Sequence, residues 1–242
     1  MRGLQNLGNT CYFNTAIQCL TSLFTNLRYS GSCEFTKMFF DDPPIMDVRA
    51  LLTMFQQRFP RFITGEQHDV QEAILCIIDI LEKGAPELKT LFYGKKMQET
   101  VYPGGKKTRE EDFSVHLMCS NGGDFETMFK ESLQWNTLTD YVDDDGVRHH
   151  VATTRNVFTA LPPVFMVSFD KKSFITLSEY IALGDIQYRL VAVAAHVGIQ
   201  WDGHYVAFTR RGDQWYYAND EHVEATTLPK MGGFYFLIYT KQ

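Results

Sequence analysis

The chain has 242 residues, with 45% hydrophobic and 14% aromatic content and a net charge of −6. Such a composition suits one large or two small globular domains with a sizeable core, and excludes a disordered chain. The negative balance argues against a nucleic-acid partner, and no apolar run approaches the ~18–20 residues of a membrane span. Met1-Arg2-Gly3 reads as an opening without a secretory signal. The five cysteines, Cys11, Cys19, Cys33, Cys76 and Cys119, are scattered and form no C-x-x-C pair. They fit neither a disulfide framework nor a zinc site, and point to a reducing compartment, cytoplasm or nucleus.

In chain order, the turn-forming run Gly3-Leu4-Gln5-Asn6-Leu7-Gly8-Asn9-Thr10 leads into apolar residues at helical spacing: Phe13, Ile17, Leu20, then Leu23 or Phe24. Asn9 and Thr10 are both N-cap types, so the spacing predicts a helix starting at or beside Cys11. A second helix is predicted from Ile45 to Phe59, stopped by Pro60. A third is predicted from the capping pattern Thr64-Gly65-Glu66-Gln67 to about Lys83, with Val70, Ile74, Ile77, Ile78 and Leu81 in one stripe. Lys95 to Lys107 reads as a hairpin tip, Phe113 to Met118 as a strand and Asp124 to Leu138 as a short helix. An acidic turn follows at Asp143-Asp144-Asp145-Gly146. Strands are predicted at Val164–Phe169, Tyr188–Val197, Tyr205–Arg210, Trp215–Ala218 and Phe234–Tyr239. Helices first and antiparallel strands after define an α+β layout.

A free cysteine is most often a small buried hydrophobe. At a helix N-terminus, however, unpaired N–H groups and the helix dipole favour the thiolate, and the polar turn before Cys11 favours that second reading. A thiolate nucleophile needs a base, and the base needs a group to hold its tautomer. Seven histidines compete: His68, His116, His149, His150, His196, His204 and His222. His204 is selected because Gly203 precedes it, a strand follows, and the Arg211-Gly212-Asp213 turn returns the chain through Trp215–Ala218. Folding this hairpin about Gly212 sets His204 opposite Asn219 or Asp220, and one residue of slack in the loop reaches Glu221.

Five stretches in order resemble the ubiquitin-specific proteases, a family of papain-like cysteine deubiquitinases. Gly3–Asn14 is similar to the family's cysteine box, and Gly65-Glu66-Gln67-His68-Asp69-Val70-Gln71-Glu72 to its glutamine and aspartate box. Trp201–Phe208, with His196 and Gly198 ahead of it, resembles the histidine box. Weaker matches lie at Leu161–Phe165 and Phe234–Tyr239, so the resemblance spans nearly the whole chain.

The resemblance implies a papain-like α+β fold in a single catalytic domain, with a helical thumb to about residue 86 and a strand-rich palm with reduced fingers. Cys11 is then the nucleophile, His204 the base and Asn6 the oxyanion donor, a role worth ~3–4 kcal/mol. The plainer reading of Asn6 is a turn asparagine bonding its own backbone. Asn219 is expected to orient His204, with Asp220 bonded to Asn6 or acting as a substitute partner; the hairpin alone leaves the two open. Asp69 and Glu72, taken as i and i+3 on a helix away from its apolar stripe, would clamp arginines of the ubiquitin tail; otherwise they are a solvated acidic face. Gly203 and Tyr205 would line the tail's path. The implied partners are ubiquitin and ubiquitinated proteins, with no nucleic acid, no membrane and no cofactor, and the chain is expected to act as a monomer.

Three features depart from the family pattern. The two places where a fingers zinc ribbon would sit, Tyr102-Pro103-Gly104-Gly105 and the turn near Asp143, hold no cysteine, so no metal is expected. The chain is short for the family. Asp170, in Ser168-Phe169-Asp170-Lys171-Lys172, stands where a basic residue is usual, beside the active-site loops. The competing functions are a ubiquitin-binding module without catalysis and a protease for another ubiquitin-like modifier.

Overall fold

The structure, a computed structural model, describes residues 2–24, 29, 31–40, 48–62, 65–119, 122–199 and 202–242, without the side chains of 171–173, 199 and 202. Its helices are α1 (Cys11–Thr21), α2 (Glu34–Phe40), α3 (Val48–Arg58), α4 (Val70–Gly84), α5 (Lys89–Phe92) and α6 (Phe125–Ser132). The strands are β1 (Gly94–Tyr102), β2 (Gly105–Phe113), β3 (Val115–Met118), β4 (Gly123–Asp124), β5 (Asn136–Val142), β6 (Arg148–Ala160) and β7 (Val164–Thr176). They continue as β8 (Tyr180–Leu183), β9 (Ile186–Ile199), β10 (Asp202–Arg211), β11 (Gln214–Asn219), β12 (His222–Thr226) and β13 (Met231–Lys241). The fold is α+β, as expected.

Nine strands form a large sheet in the order β12-β11-β10-β9-β13-β7-β3, with β4 on β7 and β8 on β9. Its pairs are antiparallel except that β3 and β4 run parallel to β7. A separate four-stranded sheet has the order β2-β1-β6-β5.

Strand alternation divides the large sheet's apolar residues between two cores. Val164, Met166, Ala192, Ala194, Ala207, Ala218, Phe236 and Ile238 face the helices. Phe165, Val167, Leu190, Val193, Val206, Leu237 and Tyr239 face the other way, toward α6 and β8. The alanines on the helical side are short, so α1 can lie close on β9, β10 and β11. With α4 on its other side, α1 is buried all round, and its polar Asn14, Thr15 and Gln18 are covered too. Leu23 and Phe24 sit in a 3₁₀ turn after it, half-buried.

Several boundaries differ from expectation. The α4 helix starts at Val70, and its N-cap is Asp69, whose side chain accepts from the N–H groups of Gln71 and Glu72. Gly65–His68 are therefore non-helical, and Thr64 lies outside the described residues, as does Ile45, the predicted start of the helix seen as α3. The α6 helix, capped by Asp124, stops at Ser132, and Asn136–Leu138 belong to β5. Asp170 lies within the long strand β7 and not in a loop. The α2 helix and strands β5, β6, β8 and β12 were not anticipated. The Lys95–Lys107 hairpin was, with its tip at Pro103-Gly104.

Candidate active site

Cys11 opens α1, as its sequence context predicts. Gly8 (φ 105) and Asn9 (φ 54) make the reversal before it. Thr10 is the N-cap residue but makes no side-chain cap bond. Its hydroxyl instead accepts from Leu7 N at 2.9 Å and donates to Asn6 Oδ1 at 3.3 Å. The first-turn N–H groups are thereby left for the thiol: the backbone N–H groups of Cys11 and Tyr12 point at it, joined by that of Tyr205 from β10. These donors favour a thiolate, but burial outweighs them. Cys11 is 6% exposed, and desolvation first, with Asp220 nearby, pushes its thiol above the usual range. Burial thus works against the thiolate that the helix N-terminus alone would favour.

The Tyr205 contact shows that β10 crosses the N-terminus of α1 beside His204. His204 Nε2 lies 2.7 Å from Asn219 Oδ1 and 3.8 Å from Asp220 Oδ2. In the hairpin Arg211 pairs with Gln214 and Ala207 with Ala218, one residue off the register read from Gly212. Continued, that register sets position 221 across from His204. Asn219 is the diagonal neighbour on the same face, which is how its amide reaches the imidazole.

Asp220 points elsewhere. It adopts a left-handed conformation (φ 49), and its two oxygens are taken by two amides. Oδ2 accepts from Asn6 Nδ2 and Oδ1 from Asn14 Nδ2, each at 2.8 Å. Its backbone O accepts from Leu4 N at 2.8 Å, joining the N-terminal segment to the β11–β12 turn. Gly3 is required for this approach: a Cβ there would lie 1.9 Å from the backbone O of Glu221. Asn6 is exposed, and its Oδ1 accepts from Gly8 N at 3.0 Å and Thr10 N at 3.2 Å. Its carboxamide is thus held at both ends. Asn14 did not stand out in the sequence; its place three residues after Cys11, one helical turn on, is the only signal that pointed to it.

Of the four residues expected to meet a substrate, Asp69, Gly203 and Tyr205 lie along the seam between the α4 start and the large sheet. Besides capping α4, Asp69 accepts from Tyr235 Oη at 2.5 Å and from the Tyr205 hydroxyl. Both phenols are held well above the usual range by burial and by Asp69, so both stay donors. Asp69 is therefore not on a free helical face, contrary to the expectation. Glu72 is exposed and paired with Arg61 at 2.5 Å. Gly203 N donates to Gln67 Oε1 at 3.4 Å, and a Cβ on Gly203 would lie 1.9 Å from His196 Nε2, so any side chain there displaces that ring. Among the described residues, no group of three His, Cys, Asp or Glu side chains could hold a metal ion, and no helix is long and apolar enough to cross a membrane.

Fold and site together define a chain in which a buried cysteine opens a helix against β10, the strand that also carries a histidine with an amide partner. Comparison identifies the family. The ubiquitin carboxyl-terminal hydrolase family model matches residues 2–239, and the chain belongs to that family. It is 24% identical to ubiquitin carboxyl-terminal hydrolase 5 of Schizosaccharomyces pombe, over 97% of this chain and 26% of that protein. It is 27% identical to ubiquitin carboxyl-terminal hydrolase 7 of Drosophila melanogaster, over 92% of this chain and 24% of that protein. The chain thus spans about a quarter of the length of these relatives. The same fold occurs in the SAGA Ubp8/Sgf11/Sus1/Sgf73 DUB module bound to ubiquitin aldehyde, with a TM-score of 0.80 at 19% identity, over 100% of this chain and 70% of that one. A second structure of the module, bound to monoubiquitin, gives a TM-score of 0.82 at 19% identity, over 100% and 69%.

Proposed function

We propose that the chain is a cysteine deubiquitinase that hydrolyses the isopeptide or peptide bond after the C-terminal glycine of ubiquitin. The observation that carries this reading is the His204–Asn219 hydrogen bond beside a helix-opening cysteine, in a member of the ubiquitin carboxyl-terminal hydrolase family. With Nε2–H donated to Asn219, the neutral imidazole keeps its lone pair on Nδ1. That nitrogen takes the Cys11 proton as sulfur attacks the carbonyl and returns it to the leaving amine; it then takes a proton from the water that cleaves the Cys11 thioester and gives it back to sulfur, releasing the carboxylic acid. An amide nitrogen carries two hydrogens; Asn6 gives one to Asp220, and the other is available to the oxyanion. Asn219 thus orients the base, and Asp220 serves the oxyanion donor.

In this reading Gly203 and the backbone of Tyr205, whose N–H reaches the Cys11 thiol, line the path of a glycine-ended tail. Glu72, exposed and paired with the exposed Arg61, is the carboxylate that can exchange its partner for a substrate arginine. Asp69 acts through the same seam by holding Tyr235, Tyr205 and the start of α4 in place. In this reading the helices to Phe92 form the thumb, the large sheet the palm and the four-stranded sheet the reduced fingers. Five free cysteines fit a cytoplasmic or nuclear setting.

The test is cleavage of a ubiquitin–fluorophore conjugate. Cys11→Ala should lower turnover by at least about 10⁴-fold while ubiquitin still binds. Residual turnover within about tenfold of the parent would remove Cys11 from the role.

A further inference from the structure

We propose that Asn14 is a positioning residue that fixes the oxyanion donor relative to the nucleophile's helix; this rests on the role given to Asn6 above. Asn14 sits on α1, three residues after Cys11, and is 2% exposed. Its Nδ2 faces three acceptors: Asp220 Oδ1 at 2.8 Å, and the backbone oxygens of Leu4 and Gln5, each at 3.2 Å. Turning the amide over would aim its oxygen at those same three acceptors, so the orientation is fixed by chemistry. Asn14 Oδ1 is buried and, among the described residues, has no hydrogen-bond partner. Only the nitrogen end is used, and all that it holds belongs to the oxyanion apparatus: the segment carrying Asn6, and the carboxylate that Asn6 also donates to.

Cys11 and the oxyanion donor are thus referred to one rigid element. Cys11 opens α1; Asn14, one turn on, ties the Leu4–Gln5 backbone and Asp220 to it; Asp220 then holds the Asn6 amide. Without Asn14 the nucleophile keeps its helix and its backbone N–H groups, but Asn6 loses its registration. The loss falls on transition-state stabilisation and leaves substrate binding in place.

The experiment measures kcat and KM for a ubiquitin–fluorophore conjugate across pH 5.5–8.5, hydrolysis of the p-nitrophenyl ester of N-acetylglycine, and iodoacetamide labelling of Cys11 followed by mass spectrometry. Asn14→Ala should lower kcat roughly 30-fold, keep KM within about twofold and leave Cys11 labelling within about threefold of the parent. Asn14→Asp places a carboxylate against three acceptors, which only its protonated form can satisfy. Its activity relative to the parent should therefore rise as pH falls, a readout taken within a single folded protein. A kcat for Asn14→Ala within about threefold of the parent would overturn the proposal. So would labelling that falls in step with kcat, or a flat pH ratio for Asn14→Asp. A parent that hydrolyses the ester but not the ubiquitin conjugate would sink the substrate reading and leave Asn14 to be judged on the ester; a parent that hydrolyses neither would sink both.

Discussion

Asp220 and Glu99 each hold two partners, one in each sheet, and the contrast separates the chemistry of the two regions. Asp220 gathers two neutral amides where the N-terminal segment, α1 and the large sheet meet. Glu99 gathers Lys106 at 2.8 Å and Arg155 at 2.6 Å on the four-stranded sheet, where both cations are well exposed. The large sheet covers both faces with apolar side chains. The small sheet leaves most of β2 and β5 in water, with Val142 and Val151 half or more exposed. Its bracing is largely ionic, with Lys95–Glu110, Lys96–Glu111 and Lys107–Asp144, and at the tip His149 and Asp143 are hydrogen-bonded at 2.8 Å. Glu99 is itself buried, but both of its cations reach water and such pairs are screened, whereas the amides on Asp220 are fixed in direction by hydrogen bonds at a part-buried junction. The directed hydrogen bonds of the candidate site are thus concentrated around Asp220, away from the small sheet.

The sharpest way to break this contrast is at the Asp220 hub. Asp220→Ala should lower kcat by about 10²–10³-fold, the loss expected when an oxyanion donor is released. Asp220→Asn should separate activity from thiol reactivity. Asp220's charge raises the Cys11 thiol, so removing it lowers that pKa and should speed iodoacetamide labelling of Cys11 near neutral pH even as turnover falls. Asn219→Ala should slow turnover without that gain in labelling, since it affects His204 alone. Matching labelling changes in the two variants would erase the division of labour.

His116 marks the boundary between the regions. It is buried against Phe129, Phe158 and Phe165, with Nε2 2.9 Å from Ser132 Oγ, and desolvation lowers its pKa to about 4. The unfolded chain takes up this proton below pH ~6.5 while the folded chain resists until about 4. The associated stability is complete above the unfolded value and declines as pH falls through this window, by about 3 kcal/mol in all. Thermal melts from pH 7 to 4 should show the decline, and His116→Phe should flatten it; an unchanged slope would place the acid sensitivity elsewhere.

At the seam, Asp69→Ala removes the α4 cap and two tyrosine contacts. The cap alone is worth about 1–2 kcal/mol, so the melting temperature should fall measurably together with activity. Lost ubiquitin binding with unchanged melting would return Asp69 to the free-clamp role. The smallest effect belongs to the small sheet. Glu99→Gln should lower the melting temperature by a few degrees at most, a loss that high salt erases, with kcat unchanged. A deep loss of kcat would show that the two regions are coupled.

The Cys11 helix and the His204 hairpin were legible because local chemistry specifies them. Cap-type residues precede an apolar 3.6-residue pattern in one, and a turn divides two β-branched and aromatic runs in the other. The start of α4 was not. The Thr64–Gln67 pattern and Asp69 both read as caps, and the choice is made by Tyr235, 166 residues away, and by Tyr205. Strands β5 and β6 escaped notice because strands wet on much of both faces lose the alternation by which strands are recognised. The α6 helix was read too long because Leu133, Trp135 and Leu138 prolong an apolar spacing that the chain uses for a turn and a strand. Within the site, Asn6 was named from its motif and Asp220 from the hairpin register, but the amide that binds them to α1 was not, because a buried asparagine in a helix carries no distinctive pattern.

The most direct test of the account is covalent capture by ubiquitin bearing a thiol-reactive group at its C-terminus, with the adduct mapped by peptide mass spectrometry. Accessibility alone would favour Cys119, which is exposed, over Cys11, which is buried. The account predicts a single adduct on Cys11, abolished by Cys11→Ala and strongly slowed by His204→Ala. An adduct on Cys119, or capture that survives Cys11→Ala, would contradict it.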